Sequence, residues 1–261
     1  LLFQQENSVP AELKVVLRSH EGVSSEAMWN LTLHSANSWI WKDGGNETLA
    51  AFVQPNHPIL RTILDDAVAI LGSRKEEVVL SGYQLHRHVR PMVEAIYQAM
   101  VNQKITYSNP PASWDLEGQR IRGAQTVLEE KVGTCLDTAV LFAGLLESAG
   151  LYPVVALIPG HAFAGYWTAK FYSEQPDVPN WTEMAITDVI NLVDLGYLEL
   201  FETTSICVGD SYLPYAEAIK ESLARVSGTQ GLGAYAHKST LVNIFECRRM
   251  KPRPEIGRAH V

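Results

Sequence analysis

The sequence predicts an α+β fold in which a central helix, opened by a cysteine, packs on an antiparallel sheet. The first observation is the apolar run Ala139, Val140, Leu141, Phe142, Leu145 and Leu146, which follows Cys135 and ends before Gly150. Apolar residues on nearly every face mark a helix buried on all sides. The second is a pair of β-like runs, from Tyr152 to Ile158 and from His161 to Phe171, separated by the turn Pro159-Gly160. The third is composition. At 261 residues, 46% apolar and 19% charged, the chain is long enough to enclose a sizeable core.

Taken in order, the chain opens with a small β-rich element over residues 1–54. The runs Leu13-Lys14-Val15-Val16-Leu17 and Trp29-Asn30-Leu31-Thr32-Leu33 read as strands, and Asp43-Gly44-Gly45-Asn46 reads as a turn. Pro55-Asn56-His57-Pro58 breaks the chain, with Asn56 placed to cap a helix. That helix carries Ile59, Ile63, Leu64, Ala67, Ile70 and Leu71 on one face and stops at Gly72. A second helix is predicted from about Leu85 to Val101, burying Val89, Met92, Val93, Ile96, Tyr97 and Met100.

The stretch from Tyr107 to Trp114 contains Pro110-Pro111 and reads as a loop, because proline removes backbone donors. A short helix from Ala124 to Lys131 precedes the helix from Cys135 to about Ser148. After the two strand-like runs, Trp181 to Leu195 reads as helical, Tyr197 to Thr203 as a strand, Pro214 to Val226 as a helix, and Leu241 to Cys247 as a closing strand. Residues 55–250 thus form the main domain, and 251–261 read as a tail, with Arg248-Arg249-Met250-Lys251-Pro252-Arg253 as a solvated basic cluster.

A formal net charge of −8 argues against a nucleic-acid-binding face. No run approaches the roughly 20 apolar residues of a membrane span, and the first residues lack the basic and apolar regions of a signal peptide. The chain begins at Leu1 without a Met, which reads as a processed chain or an excised part of a larger multidomain one. Cys135, Cys207 and Cys247 are too few and odd in number for a disulfide framework, so reduced thiols and a cytoplasmic location are the expectation. No CxxC or HxxxH pair is present, and no metal or other cofactor is implied.

The chemistry concentrates in Gly133-Thr134-Cys135-Leu136-Asp137. Thr134 and Asp137 have the spacing of a capping box, which makes Cys135 the first helical residue. A thiol there faces unpaired backbone N–H groups and the positive end of the helix, both of which favour thiolate. The same box occupies Asp137 locally and removes it as a catalytic acid. A cysteine at a helix start is also commonly no more than a small buried residue, so a partner base is needed.

His161 opens the run Gly160-His161-Ala162-Phe163-Ala164-Gly165-Tyr166-Trp167. Alternation puts His161, Phe163, Gly165 and Trp167 on one side of the strand and Ala162, Ala164 and Tyr166 on the other. A histidine at a strand start can point off the sheet toward a helix N-terminus, where it could take the thiol proton.

The order helix-Cys, strand, turn, His-strand resembles the core of the transglutaminase-like superfamily, which shares the papain-like cysteine protease fold. The matching pieces are Gly133-Thr134-Cys135, Gly160-His161-Ala162-Phe163 and Leu200-Phe201-Glu202-Thr203-Thr204. The resemblance is specific from about Gln119 to Thr204 and looser upstream to Pro55, and is shared with uncharacterised bacterial transglutaminase-like proteins. It implies a Cys135–His161–acid triad. Glu202 falls on the position where the family usually has Asp, and Asp188 and Asp194 are the alternative acids. A nucleophile at a helix start brings its own backbone N–H as an oxyanion donor; by analogy with papain-like enzymes the Gln119 amide is a second candidate, a surface or loop-pinning role being the alternative, and Trp114 and Trp167 are candidate cleft walls, with core packing the safer reading for either.

The implied reaction is acyl transfer on a protein or peptide amide through a thioester. Release to water gives a protease, amidase or deamidase, and release to an amine gives a transglutaminase. The competing reading is an inactive fold serving as a protein-interaction module. A metal site on Cys135, His161 and Glu202 is a third reading without a known ligand spacing.

Overall fold

The computed structural model describes residues 7–20, 22–40, 45–76, 79–109, 118–174, 182–209, 212–227 and 239–249. It is an α+β structure. Strands β1 (Val9–Ser19) and β2 (Gly22–Leu33) form an antiparallel hairpin with a register shift at Leu17/Arg18. The short β3 (Ser38–Trp39) then pairs with β5 (Gln119–Arg120), setting Trp39 beside Gln119. A 3-10 segment, Asn46–Phe52, buries Leu49 and Ala50. Trp39, Leu49, Ala50 and Val53 share one apolar cluster with Leu136, Ala139 and Val140 of the central helix.

Helix α1 (Leu60–Ser73) presents the predicted face, with Leu60, Ile63, Ala67 and Leu71 buried. It runs through Gly72, and Asn56 does not cap it: the His57 ring accepts the Ile59 N–H instead, at 3.3 Å. Helix α2 (Val89–Val101) begins four residues later than expected, after two 3-10 turns. Pro91 is the reason, because it has no N–H for the Arg87 carbonyl and belongs in a first turn.

Strand β4 (Thr106–Tyr107) occupies the start of the expected loop and pairs in parallel with β6 (Val132–Gly133), placing Tyr107 opposite Gly133. Pro110 to Trp114 lie outside the described residues, as do Asp43, Gly44 and the expected tail 251–261. Helix α3 (Ala124–Glu130) ends at Lys131, which takes the left-handed conformation (φ 55°). The central helix α4 (Cys135–Ser148) is buried along nearly its whole length.

The main sheet has the order β10-β8-β7-β11-β9 and is antiparallel throughout. Its strands are β7 (Pro153–Ile158), β8 (His161–Trp167), β9 (Glu183–Ala185), β10 (Leu198–Phe201) and β11 (Thr240–Asn243). Helices α5 (Ala169–Glu174), α6 (Ile186–Asp194), α7 (Tyr215–Val226) and α8 (Ile244–Arg249) complete the described elements. On one face, Val155, Ala162 and Val242 pack with α4, and on the other Val154, Phe163, Trp167, Leu200 and Leu241 pack with Phe171, Val189 and Val226.

Three boundaries differ from expectation for local reasons. Strand β8 stops at Trp167 because the Thr168 hydroxyl accepts the Phe171 N–H at 3.3 Å and starts α5. The segment before Leu195 begins as strand β9, an edge strand on β11. The closing strand ends at Asn243, and Ile244–Arg249 turn into α8, so Cys247 is helical. Arg248 is accordingly no solvated tail residue: it donates to Glu147 at 3.0 Å and to the Val53 carbonyl.

Gly165 sits between Val154 and Leu200 on the neighbouring strands. A Cβ there would come within 2.5 Å of the Leu200 side chain and 2.6 Å of the Glu199 carbonyl oxygen. A side chain at this position would therefore have to displace Leu200 of β10. No helix among the described residues is long and apolar enough to cross a membrane.

Candidate active site

Cys135 is the first residue of α4, and the expected capping box is complete. Thr134 Oγ1 accepts the Asp137 N–H at 3.2 Å, and Asp137 Oδ2 accepts the Thr134 N–H at 2.9 Å. Asp137 is fully buried and has a second task that the capping pattern did not reveal. Its Oδ1 accepts the Arg122 N–H at 2.8 Å, and Oδ2 takes the guanidinium at 2.9 Å. One carboxylate thus ties the strand carrying Gln119 to the turn that presents Cys135. The Thr138 hydroxyl, bonded to the Thr134 and Cys135 carbonyls, reaches Thr203 Oγ1 at 3.2 Å and links the helix start to the residue after Glu202.

His161 opens β8 at the end of the sheet where α4 begins. Its Nε2 lies 2.6 Å from Glu202 Oε2, and the Cys135 side chain is close enough to the ring to raise its pKa. With Nε2 committed to the carboxylate, Nδ1 is the nitrogen left for sulfur. Burial lowers the imidazole pKa, but its interactions with Cys135 and Glu202 outweigh this, raising it to about 9.

Glu202 follows β10 and is 1% exposed. Its Oε1 accepts the Thr204 N–H at 2.9 Å and hydroxyl at 2.8 Å, while Oε2 meets His161 and, at 3.1 Å, Nε of Arg225 on α7. That last approach is an ion-pair contact rather than an aligned hydrogen bond. Burial raises the carboxyl pKa, yet the His161 bond and charge and the Thr204 bonds leave it lowered overall. A buried carboxylate with three hydrogen bonds and an ion-pair contact is held in one rotamer, which in turn fixes the imidazole.

These shifts have opposite pH consequences. Because His161 titrates near 9 when folded against the usual 6.5, its charged form stabilises the fold fully below about 6.5, and this is lost as pH rises through about 9. Glu202, lowered from 4.5, contributes above that value and is lost as pH falls through its depressed folded pKa. Glu202→Gln is expected to bring the His161 titration, followed by NMR, down by about 1–3 pH units. An unchanged titration would show that Cys135 alone holds the imidazolium.

Two residues join the site without having been singled out in the sequence. Tyr107 stands close to Cys135, and burial first, then the Cys135 side chain, push its hydroxyl up to about 12, so it keeps its proton. Its placement follows from the β4–β6 register opposite Gly133. Arg225 reaches Glu202 from a helix near the end of the chain. Neither had a local signal, since both depend on long-range packing.

The other predicted residues fall as follows. Gln119 is 5% exposed on β5, and its Nε2 has no hydrogen-bond partner among the described residues, leaving a buried amide donor uncommitted. Asp188 and Asp194 are exposed on α6, and the carboxylate beside His161 is Glu202. Trp167 is a core residue, not a cleft wall: it is fully buried at the far end of β8 and packs on Phe171 at 4.3 Å. Trp114 lies outside the described residues. Among the described residues no group of three or more His, Cys, Asp or Glu side chains is arranged to hold a metal ion.

No family model matches the sequence, and no curated protein matches it. Among solved structures, a protein described as a putative protease from Parabacteroides distasonis is similar at 15% identity and a TM-score of 0.26, over 62% of this chain and 36% of the other. The chain thus spans about a third of the length of that protein.

Proposed function

We propose that the chain carries out cysteine-dependent acyl transfer on a protein or peptide amide, through a transglutaminase-like Cys135–His161–Glu202 triad. The observation that carries this reading is one imidazole held at 2.6 Å by a buried carboxylate and close enough to a helix-start thiol for that thiol to raise its pKa. Cys135 sulfur attacks the amide carbon, and the oxygen takes the negative charge facing the Cys135 backbone N–H and the Gln119 amide. His161 Nδ1 donates its proton to the departing amine as the C–N bond breaks, leaving a thioester on sulfur. A water then loses a proton to the neutral imidazole and attacks the thioester, releasing the acid and restoring the ion pair. Glu202 orients the ring and stabilises its charged form throughout. Hydrolysis of a peptide or glutamine-type amide is favoured over transamidation because it requires no second substrate site.

The test is alkylation by iodoacetamide near pH 6, read by peptide mass spectrometry. Cys207 and Cys247 are fully buried. Burial first, then Glu202, pushes the Cys207 thiol up to about 11. Burial first, then Glu47 and Glu183, pushes the Cys247 thiol up to about 12. Both stay protonated and unreactive. Cys135 is expected to be modified at least about tenfold faster than either. Equal labelling of the three in folded protein would sink the reading.

A further inference from the structure

Two positive groups meet one carboxylate oxygen at the site. Glu202 Oε2 lies 2.6 Å from His161 Nε2 and 3.1 Å from Arg225 Nε, while Oε1 is taken by the Thr204 N–H and hydroxyl. The two groups differ in kind. An imidazolium gives up its charge in an accessible pH range, whereas a guanidinium keeps its own throughout. Arg225 is also held from its other arm: Nη2 lies 2.9 Å from Glu221, one turn earlier on α7. The guanidinium is thus pinned between two carboxylates. Glu202 is 1% exposed, so water screens these charges poorly.

A lone buried carboxylate at this distance would hold a proton tightly on the imidazole. A second positive charge on the same oxygen repels the imidazolium and takes up part of the carboxylate charge, so it works against that hold. Cys135, on α4, acts on the imidazole in the same direction as Glu202. The other titratable groups that sense the Glu202 charge are Tyr97 on α2, Tyr107 on β4, and Cys207. Burial first keeps each of these three protonated, so none supplies a compensating charge across the neutral range. Release through a thioester needs the imidazole in both forms, charged to give the amine its proton and neutral to take one from water. Too tight a hold would stop the cycle at the thioester.

We propose that Arg225 is a positioning residue, a fixed cation that limits how tightly Glu202 holds the His161 proton. Its consequence for turnover rests on the cysteine chemistry proposed above, whereas its effect on the imidazole does not.

NMR titration of the His161 ring in Arg225→Gln and Arg225→Lys tests this. Arg225→Gln removes the charge and should raise the midpoint by at least about half a pH unit. Arg225→Lys keeps a charge there and should show less than half of that rise. A merely structural role gives the opposite sign, because a carboxylate freed from its anchor would move off the ring and let the midpoint fall. Arg225→Met, which keeps the packing of the stem, carries the same expectation if the Gln variant does not fold. The rise should also appear in a Cys135→Ser background, so it is read whether or not the thiol proves catalytic, a question that alkylation decides. An unchanged or lowered midpoint in the folded Gln or Met variant would overturn the assignment, as would an equal rise in Arg225→Lys.

Discussion

His161→Ala is expected to abolish the fast alkylation of Cys135 near pH 6, with a loss of about tenfold that grows as the pH falls. Two effects oppose each other in that number. An ordinary thiol with a pKa of about 8.5 is only about 0.3% ionised at pH 6, so a neighbouring imidazolium can raise the ionised fraction by at most about three-hundredfold. A stabilised thiolate is, however, intrinsically less nucleophilic, which cancels much of any such gain. Below pH 6 the ordinary thiol loses a further factor of about ten per pH unit, so the ratio of wild type to variant widens. Cys207 and Cys247 supply the control within the same molecule. Both should remain unmodified in the variant if it is folded, because their protection comes from burial. A variant that alkylates Cys135 at the wild-type rate would show that the helix start alone activates the thiol.

Asp137→Ala is expected to destabilise the fold by about 2–4 kcal/mol, measured by urea denaturation. The cap accounts for about 1 kcal/mol of this. The remainder arises because Asp137 is wholly buried and receives two backbone N–H groups and the Arg122 guanidinium, each at 2.8–2.9 Å. Removing an acceptor from buried donors costs more than the bonds contributed. Arg122 is 33% exposed and regains water, which keeps the total below that of a fully enclosed ion pair. Asp137→Asn retains the shape and one acceptor oxygen and should restore part of the loss. A change below about 0.5 kcal/mol would mean that the turn before Cys135 is held by its strand pairing with β4 instead.

The parts of this fold that were legible in the sequence are those set by local chemistry. The Thr134–Asp137 spacing located the start of α4 to the residue, and the period of Ile63, Ala67 and Leu71 located α1. Where a non-local effect decides, reading fails. The alternation through Val242 and Ile244 looks like continuing strand, yet the chain turns helical at Ile244 once β11 has spent its pairing with β7 and β9. At the site, Cys135 carried a physical signal and His161 a positional one, while Glu202 was reached only through resemblance. Tyr107 and Arg225 were invisible, because a parallel pairing 26 residues apart and a helix packed from the far end of the chain leave no mark near the cysteine.

Gly165 gives the triad an unusual dependence. His161 opens β8 and Glu202 follows the paired β10, in contact at 2.6 Å, and a Cβ at Gly165 would collide with the Leu200 side chain two residues before Glu202. The reach from imidazole to carboxylate therefore depends on a residue that is neither of the two that meet. Transplanting Cys135, His161 and Glu202 onto a sheet of the same topology, but with a bulkier residue midway along the histidine strand, would carry over the chemistry and lose the gauge that brings it into register.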